Sequence, residues 1–357
     1  MEFGMFHEFQ RVPGQTEEDA FTESFEQVDA AERCGLDVMW LAELHNAPER
    51  SVLAAPLMIA TAIAARTKRM KIGTAVQVLP LCHPLQLAEE AATVDQISHG
   101  RLIFGVGRSG FPRVYQAYGV SYAESRERFV EVLEILKRAW TQDRFSFDGK
   151  YYHFHDVHQV PKPYQKPYPE IRVAATSPDT YPANGALGNP IFCATRLGDL
   201  TELGPNLSAY REAWSAGGHA GDGKVFLRVP VYVAATEQRA RSEPEESVMH
   251  FYRYLGERIE ESARLEGARA IENRAERGQR LQNITYDEVL SSKIIVGTPQ
   301  QVIDRLSELR EKLGLSGILA EMNCGNRIPH QQVLTSLQLL CEEVIPKFKE
   351  KGPHGAH

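Results

Sequence analysis

The sequence contains no run of about 18 apolar residues, no block of Lys and Arg, no C-x-x-C pair and no short internal repeat. The first absence leaves no candidate membrane span. The N-terminal MEFGMFHEFQ also lacks the basic and apolar regions of a secretory leader, so the expected location is the cytoplasm. With 40 Lys and Arg against 47 Asp and Glu, the formal charge is −7, and nothing draws the chain to nucleic acid or anionic lipid. The five cysteines, Cys34, Cys82, Cys193, Cys324 and Cys341, are scattered and odd in number. That pattern argues against a disulfide framework or a structural zinc site, and each reads as a small buried hydrophobe. The partner left by these exclusions is a diffusible small molecule.

What is present is a regular alternation along 357 residues that are 43% hydrophobic. Short apolar or β-branched runs, beginning at Met1–Phe6, Asp37–Leu41, Met70–Val76 and Arg101–Val106, are separated by longer amphipathic stretches. Glu17–Cys34, Ser51–Ala65, Pro84–Ile97 and Ser125–Trp140 read as helices. Further strands are expected at Ile171–Ala174, Pro190–Cys193, Val225–Val233 and Gly317–Ala320, with helices over Thr298–Lys312 and Pro329–Phe348. About eight such units predict a single (β/α)8 barrel spanning 1–357 rather than an open doubly wound sheet. Two segments break the pattern. An aromatic, Pro-rich insertion at about 142–170 follows the fourth unit and contains a hairpin turning at Asp148-Gly149. An Arg- and Glu-rich insertion at about 237–292, near the seventh unit, reads as solvated helices.

Barrel enzymes place their sites at the C-terminal ends of the strands. After the second strand comes Glu43-Leu44-His45, a His beside an acid that can orient it for proton exchange. The fourth strand ends in Gly105-Val106-Gly107-Arg108-Ser109-Gly110, a literal G-x-G-x-x-G. A dinucleotide fingerprint requires its glycines to run straight into a helix, and here the helix is expected only near Ser125. The alternative is that Gly107 makes room for Arg108 to hold a phosphate. Arg126, in the first turn of the next helix, opposes the helix dipole unless an anion lies there, although an exposed charged turn explains it equally. Thr176-Ser177-Pro178, leading into a helix expected at Pro178, offers hydroxyls and N–H groups to an anion, with an ordinary N-cap as the plain reading of Ser177.

Taken in order, CGLDVMWLAELH (Cys34–His45), the segment Lys71–Arg108, SRERF (Ser125–Phe129) and IVGTPQQVIDRL (Ile295–Leu306) resemble the bacterial-luciferase-like, FMN-dependent two-component monooxygenases. The resemblance runs from Met1 to the closing helix. It implies reduced FMN supplied by a separate reductase, reaction with O₂ through a flavin C4a-hydroperoxide, and oxygenation of a small organic substrate such as a ketone or aldehyde. It also implies that Arg108, Arg126, Ser177 and Thr180 hold the FMN phosphate and that Phe6, Ala75, Val76 and Thr176 line the isoalloxazine. A cis peptide between Ala75 and Val76, His45 as the proton-handling group, and a homodimer through the charge-poor helices Ser51–Ala65 and Pro84–Ile97 follow from the same likeness. One position departs from the pattern. Luciferases carry two adjacent His after the acid, and the first is Leu44 here, which argues against light emission.

Two other readings stay open on the sequence. F420-dependent hydride-transfer enzymes share such a barrel and a similar glycine segment. A non-catalytic flavin-binding subunit is the reading that Leu44 favours and the retained Arg108 and Arg126 oppose.

Overall fold

In the computed structural model of the chain, which describes residues 1–195, 199–262 and 274–349, eight parallel strands close on themselves. They are β1 (Glu2–His7), β2 (Val38–Leu41), β3 (Lys71–Thr74), β4 (Leu102–Gly107), β5 (Ile171–Ala174), β6 (Ile191–Ala194), β7 (Val225–Val233) and β8 (Gly317–Glu321). Each pairs with the next, and β8 returns to β1 with Phe6 opposite Glu321. The intervening helices are α1 (Glu17–Cys34), α2 (Pro56–Arg66), α3 (Pro84–Ile97), α4 (Ser125–Thr141), α5 (Thr180–Ala186), α6 (Leu203–Ala216), α7 (Pro299–Leu313) and α8 (His330–Leu339). The fold is the (β/α)8 barrel expected from the alternation. Among the described residues no helix is long and apolar enough to cross a membrane.

Local chemistry sets the boundaries. Thr16 and Asp19 form a reciprocal capping box at the start of α1, and Gly35, at φ 82°, ends it. Four expectations need correction. Helix α2 begins at Pro56 and not Ser51, because a residue before proline is pushed out of the helical region; Ser51 instead bridges Gln10 in an extended segment. Strand β3 ends at Thr74, where the cis peptide Ala75-Val76 interrupts it. A six-residue helix, Pro112–Ala117, intervenes between the β4 glycines and α4. Helix α5 starts at Thr180, Pro178 being spent in the preceding turn.

The insertion after the fourth unit forms the expected hairpin, Phe145–Asp148 with His153–Val157. The Arg- and Glu-rich insertion is not simply solvated. Its helices Glu245–Ser262 and Arg274–Gln282 bury Val248, Tyr252, Leu255, Ile259 and Leu281 in a core of their own. They approach so closely that a Cβ on Gly256 would lie 2.6 Å from the Gly278 carbonyl oxygen. The middle of this insertion, 263–273, falls outside the described residues.

The bore of the barrel is filled in layers. Near the bottom, Arg172 pairs with Glu2 at 2.6 Å and lies 3.6 Å from the centre of the Phe226 ring. Trp40, edge-on to Phe192, fills the middle. Above it the Arg228 guanidinium lies 3.5 Å over Phe6 and is held by Glu321 at 2.8 Å and Glu8 at 3.1 Å. Glu8 also accepts from Arg50, at 2.6 Å through Nε. This four-membered ionic layer forms a rigid, nearly dry floor.

One buried group makes stability depend on pH. His7 is fully buried, accepts from the Phe9 N–H at Nδ1 and donates from Nε2 to Gln27 Oε1. Burial, the largest cause, pushes its pKa down from 6.5 to about 4. Between those values the unfolded chain binds the proton and the folded chain does not. Stability is therefore lost as pH falls through that window, by at most about 1.4 kcal/mol per pH unit. Urea midpoints measured from about pH 7 to 4.5 should fall more steeply for the wild type than for His7→Gln.

Candidate active site

The mouth of the barrel brings together the ends of β2, β3, β4 and β5. Three segments of the sequence supply a hydrogen-bonded cluster around Glu43 and His45. Glu43 Oε1 accepts from His45 Nε2 at 2.7 Å, while its Oε2 accepts from the Val78 N–H at 2.7 Å and Gln77 Nε2 at 2.6 Å. A carboxylate can only accept, so the His45 ring carries a hydrogen on Nε2, and in its neutral form Nδ1 is left as a lone pair. That lone pair receives the Tyr118 hydroxyl at 2.8 Å. Tyr118 arrives there because Pro112–Ala117 turns the chain after β4, and the Tyr115 hydroxyl at its core donates to the Arg108 carbonyl. Burial raises the Tyr118 pKa, with the Glu43 charge adding to it. The phenol is therefore held as a donor.

A second cluster lies at the ends of β3, β4 and β5. A Cβ on Gly107 would sit 2.5 Å from Val76 Cγ2 and 3.4 Å from the Ala174 Cβ. Glycine there lets three strand ends meet as a shelf of small side chains, with Ala75, Val76 and Ala174 partly open to the mouth. The half-buried Arg108 follows directly, and its guanidinium makes no hydrogen bond or ion pair with the described residues. Arg126, exposed, reaches Asp179 at 3.0 Å. Asp179 also accepts from the Ser177 hydroxyl at 2.6 Å, and that bond, ahead of the Arg126 charge, holds its carboxyl below the usual range. The Thr180 hydroxyl accepts from the backbone N–H groups of Thr176 and Ser177, at 3.2 and 3.3 Å. Arg126 and Ser177 are thus brought together on Asp179, and the Thr176 and Ser177 N–H groups on Thr180.

Phe6 sits lower than the likeness implied. It is 1% exposed, with Arg228 over its face, so it belongs to the floor beneath the shelf. Tyr118 and Asp179 were not singled out from the sequence. The contacts that bring them in, Tyr118 to His45 and Asp179 to Arg126, each join positions more than 50 apart and leave no local signal.

A cavity of about 330 Å³ is lined by Asn46–Arg50, by His250, Phe251, Tyr254 and Arg258 of the charged insertion, and by Gly325 and Asn326. A larger hollow of about 520 Å³ shares His250 but is built on the outer side of that insertion, from residues such as Glu246, Arg253 and Arg327. It holds none of the strand-end residues. The aromatic hairpin lines neither cavity: Phe147 lies under Arg138 of α4, Tyr151 under Arg128, and Tyr152 and Phe154 against His83.

The residues present fit a flat, phosphate-bearing cofactor, with the shelf for a ring and unpaired Arg108 for an anion. Residues 1–317 match the family model described as luciferase-like monooxygenase. The chain belongs to this family. Among its relatives is the oxygenase component of the flavin-dependent trigonelline monooxygenase of Acinetobacter baylyi, 27% identical over all of this chain and 98% of that protein. The crystal structure of the monooxygenase RslO1 from Streptomyces bottropensis superposes with a TM-score of 0.79 at 26% identity, covering 98% of this chain and 100% of the other. An F420-dependent glucose-6-phosphate dehydrogenase of Kineococcus radiotolerans is 32% identical over 59% of this chain and 64% of its own length. The general kind is thus that of a flavin-dependent monooxygenase in a luciferase-like barrel.

Proposed function

We propose that this protein is the oxygenase component of a two-component system, taking reduced FMN from a separate reductase and oxygenating a small organic substrate, with ketones and aldehydes the first class to test. The observation that carries this reading is the small-residue shelf at Val76, Gly107 and Ala174 with the unpaired Arg108 at its edge. Bound reduced FMN supplies the electrons that activate O₂. Arg108, Arg126, Ser177 and Thr180 would hold its phosphate; Ala75, Val76 and Thr176 would lie along the ring, with Phe6 beneath. His45, fixed by Glu43 and Tyr118, holds or moves a proton at Nδ1. The 330 Å³ cavity, whose lining begins at the next residue, Asn46, is at the small end of the range for ligand sites and suits a compact substrate with both apolar and polar parts.

A compact monophosphate matches two guanidinium groups and one Ser/Thr turn, which favours FMN over F420. Arg108→Ala should weaken FMN binding about 10- to 100-fold, one charge-assisted contact being worth about 1.5–3 kcal/mol. Asp179→Asn should strengthen it about 3- to 10-fold, because the carboxylate now competes with the phosphate for Arg126 and Ser177. Fluorescence titrations with FMN and with F420 measure both. Tighter binding of F420 by the wild type would overturn the cofactor assignment in favour of hydride transfer.

The outward faces of α2 and α3 carry the exposed Met58 and Ile97. They support a homodimer through these helices, checked by sedimentation at micromolar concentration.

A further inference from the structure

At the opposite end of the barrel from the site, Cys34 closes α1 and Cys341 lies in the π-helical turn Leu340–Val344 that follows α8. Their sulfurs are 2.9 Å apart, sharing a hydrogen bond between residues 307 positions apart in the chain. A disulfide needs about 2.05 Å, so less than about 1 Å of approach separates this pair from a covalent bond. The other three cysteines have no such neighbour. Cys82 contacts Gln77 and the Val78 carbonyl, Cys193 contacts the Phe226 carbonyl, and Cys324 is buried.

We propose that Cys34 and Cys341 form a peroxide-responsive dithiol that oxidises to a disulfide and locks the seam where the first and last β/α units meet. The seam is real in the topology: α1 follows β1, the π-helical turn follows α8, and β1 pairs with β8 to close the barrel. Cys34 is the half-buried member and Cys341 the buried one, which orders the reaction. The hydrogen bond shared by the two sulfurs holds the Cys34 thiol below its ordinary pKa and raises that of Cys341. The Cys34 thiolate, its proton released to solvent, attacks hydrogen peroxide, breaking the O–O bond to give a sulfenic acid and hydroxide, which recovers a proton as water. Cys341 sulfur then attacks the sulfenic sulfur, forming the S–S bond and releasing water. Overall two thiols and one H₂O₂ give one disulfide and two H₂O.

The test treats the full-length protein with hydrogen peroxide and follows intact mass, free thiols and non-reducing peptide maps. The expected result is a loss of about 2 Da, a drop from five titratable thiols to three in denaturant, and a cross-linked peptide holding Cys34 and Cys341. The oxidised form should melt about 5 °C higher, since the bond closes a loop of nearly the whole chain, and dithiothreitol should reverse the shift. Cys34→Ser and Cys341→Ser should each abolish the cross-link. A protein that retains five thiols, forms sulfinic acid on Cys34 instead, or pairs through Cys82, Cys193 or Cys324 overturns the proposal.

Discussion

Replacing His45 with alanine is expected to lower substrate turnover by about 10²–10⁴-fold, the range typical of a positioned proton-transfer group, while FMN affinity changes by less than about threefold. The split between the two readouts follows from where the residue sits. His45 touches Glu43 and Tyr118 and none of the groups at the β4 and β5 ends that would hold the phosphate. Leu44 sharpens the expectation, because the neighbouring position offers no second imidazole to take over the role. Tyr118→Phe should fall between the wild type and His45→Ala, since it leaves His45 oriented by Glu43 but removes the hydroxyl from Nδ1. The measurement pairs a flavin reductase with the purified protein and counts product formed per reduced FMN consumed. Turnover within about tenfold of wild type in His45→Ala would remove the proton-handling role and favour a flavin-binding subunit without catalysis.

Replacing Glu8 with alanine should cost about 3–5 kcal/mol of folding stability, read as a lower urea midpoint. Glu8, with its side chain 3% exposed, accepts from both Arg50 and Arg228. Without it two guanidinium groups at the floor of the mouth share only Glu321, and a buried charge is left poorly compensated. Removing the acid of an exposed pair gives the contrast: Glu134→Ala, which breaks the i,i+4 contact with Arg138, should change stability by less than about 1 kcal/mol. Equal losses in the two variants would mean that the ionic floor is not what stabilises this part of the bore.

Much of this architecture was legible along the chain. Alternating apolar runs and amphipathic stretches placed all eight barrel strands, and Gly35 and Thr298 marked helix ends correctly, because capping and left-handed turns depend on neighbours a few residues away. The charged insertion misled for a physical reason. Its Arg and Glu content dominates any composition, while the contact that buries it, Gly256 against Gly278, needs two helices to be brought face to face. The aromatic hairpin left two outcomes open, since Phe147 or Tyr152 can pack on a ligand or on the barrel with the same sequence, and the structure puts Phe147 under Arg138 of α4.

The division at the site runs along the same line. Sequence alone determined which residue types stand at the strand ends: the His45 and Glu43 pair, the glycines before Arg108, and the Thr176–Thr180 turn. Their order along the chain carried the resemblance to the luciferase-like family. Only the tertiary structure decided what each side chain meets. It aimed Tyr118 at His45, laid Asp179 across Arg126 and Ser177, buried Phe6 beneath Arg228, and set Cys34 against Cys341. Backbone propensities act over a few residues and leave a trace in the sequence. A contact between positions 50 or 300 apart has no such trace until the barrel closes and fixes the distance.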